Sequence, residues 1–444
     1  MEDRLVKTNT GMIEGVFEGE CLVFKGIPYA KAPTGALRWR APQKLKPWAG
    51  VFKADHFGNR SAQKTWEPDP EALYYKEFHH DKTSNNLSSE DGLYLNIWVP
   101  KKRRVKPMAV AFFIHGGAFM GGCGHELEFR TDAYAKKDVI LVTINYRLGM
   151  FGFLAHPWLA AEDAAACGNY GILDQAAALM WVRENIANFG GDPENITIFG
   201  QSAGCMSVQA LLSMPSLKGT YVRAILQSGA GYPSVLGKDI SLEEGFERGE
   251  YAALAAGVSS LEEFRAMSES ELCRVQEMVY AQVGACGGGL AFSPVTNKEL
   301  LALPGDQLVA SGRISDVPMI IGSTKNDMTV TPEEAQKKNS RFRESCKGWA
   351  LQMEKFNQNP CYVYYFSRDL PGDDAGAFHS SELWYMFGTL RECWRPMTPG
   401  DFMLSEKMVT YWTNFMKYGN PNGEGLPMWR PLTKEIPFEM VLDV

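Results

Sequence analysis

A serine lies between two glycines in Gly200-Gln201-Ser202-Ala203-Gly204, after the short apolar run ITIF (196–199) and before MSVQALLSM (206–214), which has helical spacing. A strand, a sharp turn and a helix in that order lift a serine hydroxyl to where it can attack an electrophile. A hydroxyl is a weak nucleophile and needs a base beside it. The chain has seven histidines: His56, His79, His80, His115, His125, His156 and His379. Where such an elbow works, the acid and the histidine follow the serine along the chain, and only His379 does. A carboxylate is then needed to hold the imidazole in the right tautomer. Asp327, on the loop after the run MII (319–321), is the candidate. Asp306 and Asp316 precede that run, while Asp369, Asp373 and Asp374 follow the next one. Asp316, close to Pro318, suits a turn.

A second glycine-bearing segment, His115-Gly116-Gly117-Ala118-Phe119, directly follows the apolar run MAVAFFIH (108–115). Backbone N–H groups of such a loop can converge on a developing oxyanion. Gly116 and Gly117, with the N–H of Ala203 just after the serine, are the candidate donors. His115 reads as a support for the loop, because no second ligand sits at metal spacing from it.

These residues need a scaffold. Apolar, β-branched runs at 108–115, 139–145, 196–199, 224–227, 319–321 and 361–366 alternate with helical patterns such as LDQAAALMWVRENIAN (173–188). Buried strands alternating with helices predict an α/β fold, a mostly parallel central sheet covered on both faces. Residues 238–282 and 331–359 are rich in helix formers and poor in strand signals, so they read as helical insertions. No repeat or long linker divides the chain, and residues 1–444 read as one domain.

Composition narrows the class further. The 444 residues carry 45 Lys+Arg against 52 Asp+Glu, a net charge of −7, which argues against a nucleic-acid partner. The single basic run, 101–104, reads as a solvated loop. The start MEDRLVKTNTGMIEG lacks the apolar stretch of a signal peptide, and no run is long enough to span a membrane. The nine cysteines are an odd number with no CxxC pair, which suits reduced thiols in a cytoplasm. No metal or cofactor is implied, and nothing indicates an oligomeric state.

The chain resembles the type-B carboxylesterases, para-nitrobenzyl-esterase-like members of the carboxylesterase/cholinesterase family, over nearly its whole length. The resemblance rests on GIPYAKAPTGALRWRAP (26–42), EDGLYLNIW (90–98), HGGAF (115–119) and NYRLGMFGFL (145–154). It continues through GNYGILDQ (168–175), WVRENIANFGGDP (181–193), GQSAG (200–204), ILQSGA (225–230) and HSSELWYMFGTL (379–390). It implies the α/β-hydrolase fold, with Ser202 as nucleophile, His379 as base and Asp327 as acid. It also implies Gly116, Gly117 and Ala203 as oxyanion donors, Ser228 as a serine behind the triad, and ion pairs Arg147–Asp174 and Glu90 with an arginine of LRWR.

Departures from the family pattern are specific. Gln201 stands where the family has glutamate, Cys205 where it has glycine, and Asp327-Met328 where the acid motif ends in Glu-Gly. Gly92 replaces the cysteine of the first disulfide of secreted members. Lys82 stands at the choline-binding tryptophan of cholinesterases, so a quaternary ammonium loses its cation–π partner. The short stretch between Asp327 and His379 implies a shortened helical cap and a more open pocket. Phe119, Trp384 and Phe387 would line that pocket and favour apolar or aromatic groups. The resulting expectation is a serine esterase acting on a small-molecule ester through an acyl-enzyme. Esterases of phenolic (feruloyl or cinnamoyl) esters or carbamates, and a non-catalytic binding protein on the same fold, are the alternatives.

Overall fold

The computed structural model describes residues 4–63, 69–79, 87–102, 105–236, 239–286, 289–328, 333, 340–356 and 358–444. His80, Lys82 and the Arg103-Arg104 half of the basic run lie outside the described residues.

Ten strands form the central sheet: β1 (Val16–Glu18), β2 (Cys21–Pro28), β3 (Tyr94–Pro100), β4 (Met108–Ile114), β5 (Val139–Ile144), β6 (Gly191–Gln201), β7 (Arg223–Gln227), β8 (Met319–Thr324), β9 (Cys361–Phe366) and β10 (Met440–Leu442). Their spatial order is β1-β2-β3-β5-β4-β6-β7-β8-β9-β10. From β5 to β10 every pairing is parallel, whereas β1, β2 and β3 join antiparallel. Strands β4, β5, β8 and β9 are buried at every residue, as a sheet covered on both faces requires.

The period-2 alternation of side chains divides each strand between two cores. Val110, Phe112 and Ile114 of β4 enter one core, while Ala109, Ala111 and Phe113 enter the other. The first core is closed by α1 (Tyr170–Asn185), α2 (Ala203–Leu212) and α5 (Arg341–Phe356), the second by α6 (Pro399–Tyr418).

Within residues 238–282 lie α3 (Leu242–Ala256) and most of α4 (Glu269–Ala285), each opened by a capping box, Ser241 with Glu244 and Ser268 with Glu271. Of the segment 331–359, the part described, chiefly 340–356, departs from its reading as an insertion. Its helix α5 is the crossover from β8 to β9, and it lays Phe342, Cys346, Trp349 and Met353 onto the sheet. Its many charges occupy only the outward face.

Two ion pairs tie the loops at the carboxyl ends of the strands. Arg147 meets Asp174 through Nε–Oδ2 and Nη2–Oδ1, both 2.7 Å, and Asp174 also accepts the Arg147 N–H. Arg38 forks onto Glu90, with Nε–Oε2 at 2.7 Å. Gly92 packs against Ser61 so closely that a side chain would collide with the Ser61 backbone, and all nine cysteines are free thiols. The first pair yields a stability prediction. Asp174→Ala strands the Arg147 charge in the core and should lower unfolding free energy by about 3–5 kcal/mol in denaturant titrations. A loss below about 1 kcal/mol would mean that the pair is not the buried tie described.

Candidate active site

Strand β6 ends at Gln201 and α2 begins at Ala203, so Ser202 alone makes the turn. Its backbone is held at φ 57°, ψ −125°, a left-handed strain that a non-glycine residue adopts only when its surroundings impose it. The surroundings are the ends of neighbouring strands. A side chain at Gly200 would collide with the Gly204 carbonyl, and one at Gly204 would strike the carbonyl of Ile114 on β4. Both glycines are therefore needed for the helix to start this close to the sheet. The Ser202 N–H donates to the Gln227 carbonyl at the end of β7 (2.9 Å), and the side chain stays partly exposed.

Asp327 and His379 come together because the loops after β8 and β9 continue the sheet by one rung. The Asn326 N–H donates to the Ala377 carbonyl (2.9 Å), and the Asn326 Oδ1 accepts the Ala377 N–H (3.1 Å). With Asn326 and Phe378 paired in parallel, the next side chains meet: His379 Nδ1 stands 2.6 Å from Asp327 Oδ1. Asp327 is further fixed by the N–H groups of Thr324 (3.1 Å) and Met328 (3.0 Å). His379 is nearly buried. Burial disfavours its charged form, but the Asp327 charge and hydrogen bond outweigh this and raise its pKa above the ordinary value. The other face of the ring, Nε2, lies 3.3 Å from the Gln201 Nε2. The structure thus brings Ser202, Gln201, Asp327 and His379 to one place.

The loop after β4 runs through three consecutive left-handed residues, Gly117 (φ 96°), Ala118 (φ 54°) and Phe119 (φ 57°). The Gly117 carbonyl takes the N–H groups of Met120 and Gly121, folding the loop back on itself. Gly116 lies against Gln201 and Ser202, so the loop borders the Ser202 turn. Behind it, the His115 imidazole approaches the Gly116 carbonyl through Nδ1 (2.9 Å), and burial drives its pKa down to about 4. Gln63 pins the far side of the loop through both the carbonyl and the N–H of Gly122.

The aromatic expectation needs correction. Trp384 and Phe387 have no exposed surface and sit in the core on the α6 side of the sheet. Trp384 stacks on Phe78 and donates Nε1 to Glu77 (2.9 Å), while Phe387 packs among Phe113, Phe129 and Tyr134. Phe119 is also fully buried, edge-on to Phe153 at 5.0 Å. Helical spacing cannot distinguish an aromatic on the core face from one turned to a pocket, and the core face took Trp384 and Phe387; the fold of the loop after β4 turned Phe119 inward as well.

Ser228, just past the end of β7, has φ 51° and its N–H on the Gly322 carbonyl (2.9 Å). Two groups near His379 were not singled out from sequence. Glu382, fully buried, has its carboxyl pushed up to about 7 by burial and then by the Asp327 charge. Its signal was a carboxylate three residues after the histidine in HSSE. Tyr74 donates its hydroxyl to the His379 carbonyl (3.2 Å) and is the exposed aromatic there; nothing in its local sequence marked it. A cavity of about 280 Å³ runs along one face of α2, past Met206, Gln209, Ala210 and Ser213. Its lining includes none of Ser202, Ala203, Gly116, Gly117, Asp327 and His379, so it lies apart from the place where those residues gather.

The sheet order, the strand–Ser202–helix turn and the Asp327–His379 pair at the carboxyl ends of the strands define an α/β hydrolase. The chain belongs to the carboxylesterase family, which it matches over residues 2–352 and 345–443. It is 32% identical to the para-nitrobenzyl esterase of Bacillus subtilis (strain 168), with all of this chain and 95% of that protein covered. It is 30% identical to the acylcarnitine hydrolase of Mus musculus, covering 95% of this chain and 84% of that one. A solved thermophilic PNB esterase superposes with a TM-score of 0.85 at 31% identity, covering 99% of this chain and 96% of the other. The chain is accordingly a carboxylic ester hydrolase of the serine type. Among the described residues no helix is long and apolar enough to cross a membrane.

The raised His379 pKa carries a pH signature. A histidine with a raised folded-state pKa adds stability below its unfolded value, and loses it as pH rises through the folded value. Asp327→Asn removes the cause, so the stability gap between parent and variant should be wider at about pH 5.5 than at about pH 9. Equal gaps in chemical denaturation at the two values would contradict the assigned cause of the shift.

Proposed function

We propose that Ser202, His379 and Asp327 act as nucleophile, base and acid in a two-step ester hydrolysis. In the first step Ser202 Oγ attacks the ester carbonyl carbon while His379 Nε2 takes its proton. Asp327 holds the Nδ1–H tautomer and stabilises the imidazolium. Collapse of the tetrahedral intermediate expels the alcohol, which receives that proton, and leaves the acyl group on Ser202. Water, deprotonated by His379, then releases the carboxylic acid and restores the serine. The observation that carries this reading is the 2.6 Å Asp327–His379 contact, with Nε2 turned toward the strand end that presents Ser202.

The N–H groups of Gly116, Gly117 and Ala203 are the oxyanion donors in this reading, and the left-handed Ala118 adds its N–H to the same loop. Each such donor is worth about 10²–10³ in rate. Simple carboxylic esters are the substrates this reading favours, in keeping with para-nitrobenzyl esterase as a relative. Residues 1–444 are read as one domain, and the nine unpaired thiols support a cytoplasmic setting.

Hydrolysis of p-nitrophenyl esters from acetate to long acyl chains tests the reading. Ser202→Ala should lower kcat on the order of 10⁶-fold and Asp327→Asn about 10⁴-fold. Serine-independent turnover would sink it.

A further inference from the structure

The Nε2 atom of His379 has a partner other than the serine. Its Nδ1 faces the Asp327 carboxylate, which when ionised can only accept, so the ring proton is on Nδ1 and Nε2 carries the lone pair. The group 3.3 Å from that lone pair is the Gln201 side-chain amide nitrogen, a donor. The Gln201 oxygen points the other way, toward Gly116. Gln201 is itself buried (3% exposed) at the last position of β6, so its side chain is held against the imidazole by the same strand that carries Ser202. The Ser202 hydroxyl makes no hydrogen bond to any described residue.

We propose that Gln201 is a positioning residue for the general base: its amide N–H occupies the lone pair of neutral His379, competes with the Ser202 hydroxyl for it, and disfavours protonation of the ring. This rests on the catalytic roles proposed above. The other groups facing His379 act in the opposite sense or are neutral. Asp327 and Glu382 both favour the imidazolium, and Tyr74 meets only the backbone carbonyl. Cys205 and Cys346, near Asp327, are thiols kept protonated by burial. Gln201 is the side chain in hydrogen-bond range of Nε2, and an amide N–H cannot face an imidazolium N–H. A carboxylate at the same place would accept from that N–H and hold the base protonated to higher pH. The amide therefore extends base function toward acid, and it must swing off Nε2 when substrate engages Ser202.

The test is the pH dependence of kcat/KM on p-nitrophenyl acetate for the parent, Q201M and Q201E. Removing one hydrogen bond to the neutral ring should raise the acidic limb by about 0.5–1 pH unit in Q201M, with a larger rise in Q201E. Below the limb this appears as a roughly 3- to 10-fold loss relative to the parent, with little change on the alkaline plateau. Superimposable limbs, or a downward shift, overturn the proposal. A reading independent of the variants comes from the ¹⁵N resonances of His379 in the unaltered protein. An Nε2–H tautomer at neutral pH overturns it whether or not the variants fold, and an Nδ1–H tautomer is the expected result. If Ser202→Ala abolishes turnover while Q201M titrates like the parent, the triad assignment stands and only the role of Gln201 falls.

Discussion

The active end of this protein depends on how closely α2 can start beside the sheet. Ser202 makes the turn alone, in a backbone conformation it would not choose, because Gly200 and Gly204 let two carbonyls approach within a distance that any side chain would forbid. The covered parallel sheet makes that approach rigid: strands β4, β6 and β7 fix the carbonyls of Ile114 and Gln227 against which the turn is built. The strain at the serine is maintained by packing elsewhere, in two cores that divide the strand residues between them. A looser sheet would let the turn relax and drop the hydroxyl from its place.

Electrostatics on the other side of the site follows from burial. Asp327, His379 and Glu382 share a small, nearly dry region, and each biases the others. The Asp327 charge raises His379, and the same charge helps keep the Glu382 carboxyl near neutrality. Two ionised carboxylates are costly there, so the Asp327 charge dominates at the imidazole and Glu382 adds its own only as pH rises through about 7. Chain order, not proximity in sequence, assembles this group: Asp327 and His379 are 52 residues apart and meet through one extra rung between loops.

Much of this was legible before any coordinates. The buried strands at 108–114, 139–144 and 361–366 and the helix after Ser202 carry strong local patterns, and the order of serine and histidine left a single candidate base. The ion pairs Arg147–Asp174 and Glu90 with an arginine of LRWR came through resemblance and appear as buried forks, the second arginine being Arg38. What escaped was directional. Trp384 and Phe387 share a helical stretch with nothing to say which side meets the sheet, and they went to the core. Tyr74 reaches His379 across 305 residues of chain, a contact no local pattern encodes. The helix 341–356 was legible as a helix, but its charged outer face hid its service as a crossover.

The rung between Asn326 and the Ala377–Phe378 segment also separates the site from the chain that joins its two halves. Once those backbones are bonded, the relative placement of Asp327 and His379 no longer depends on how many residues run between them. The connection from Asp327 to β9 can then vary in length without retuning the imidazole, provided α5 keeps Phe342, Cys346, Trp349 and Met353 on the sheet. Proteins built this way can alter what approaches Ser202 while leaving the Asp327–His379 contact untouched.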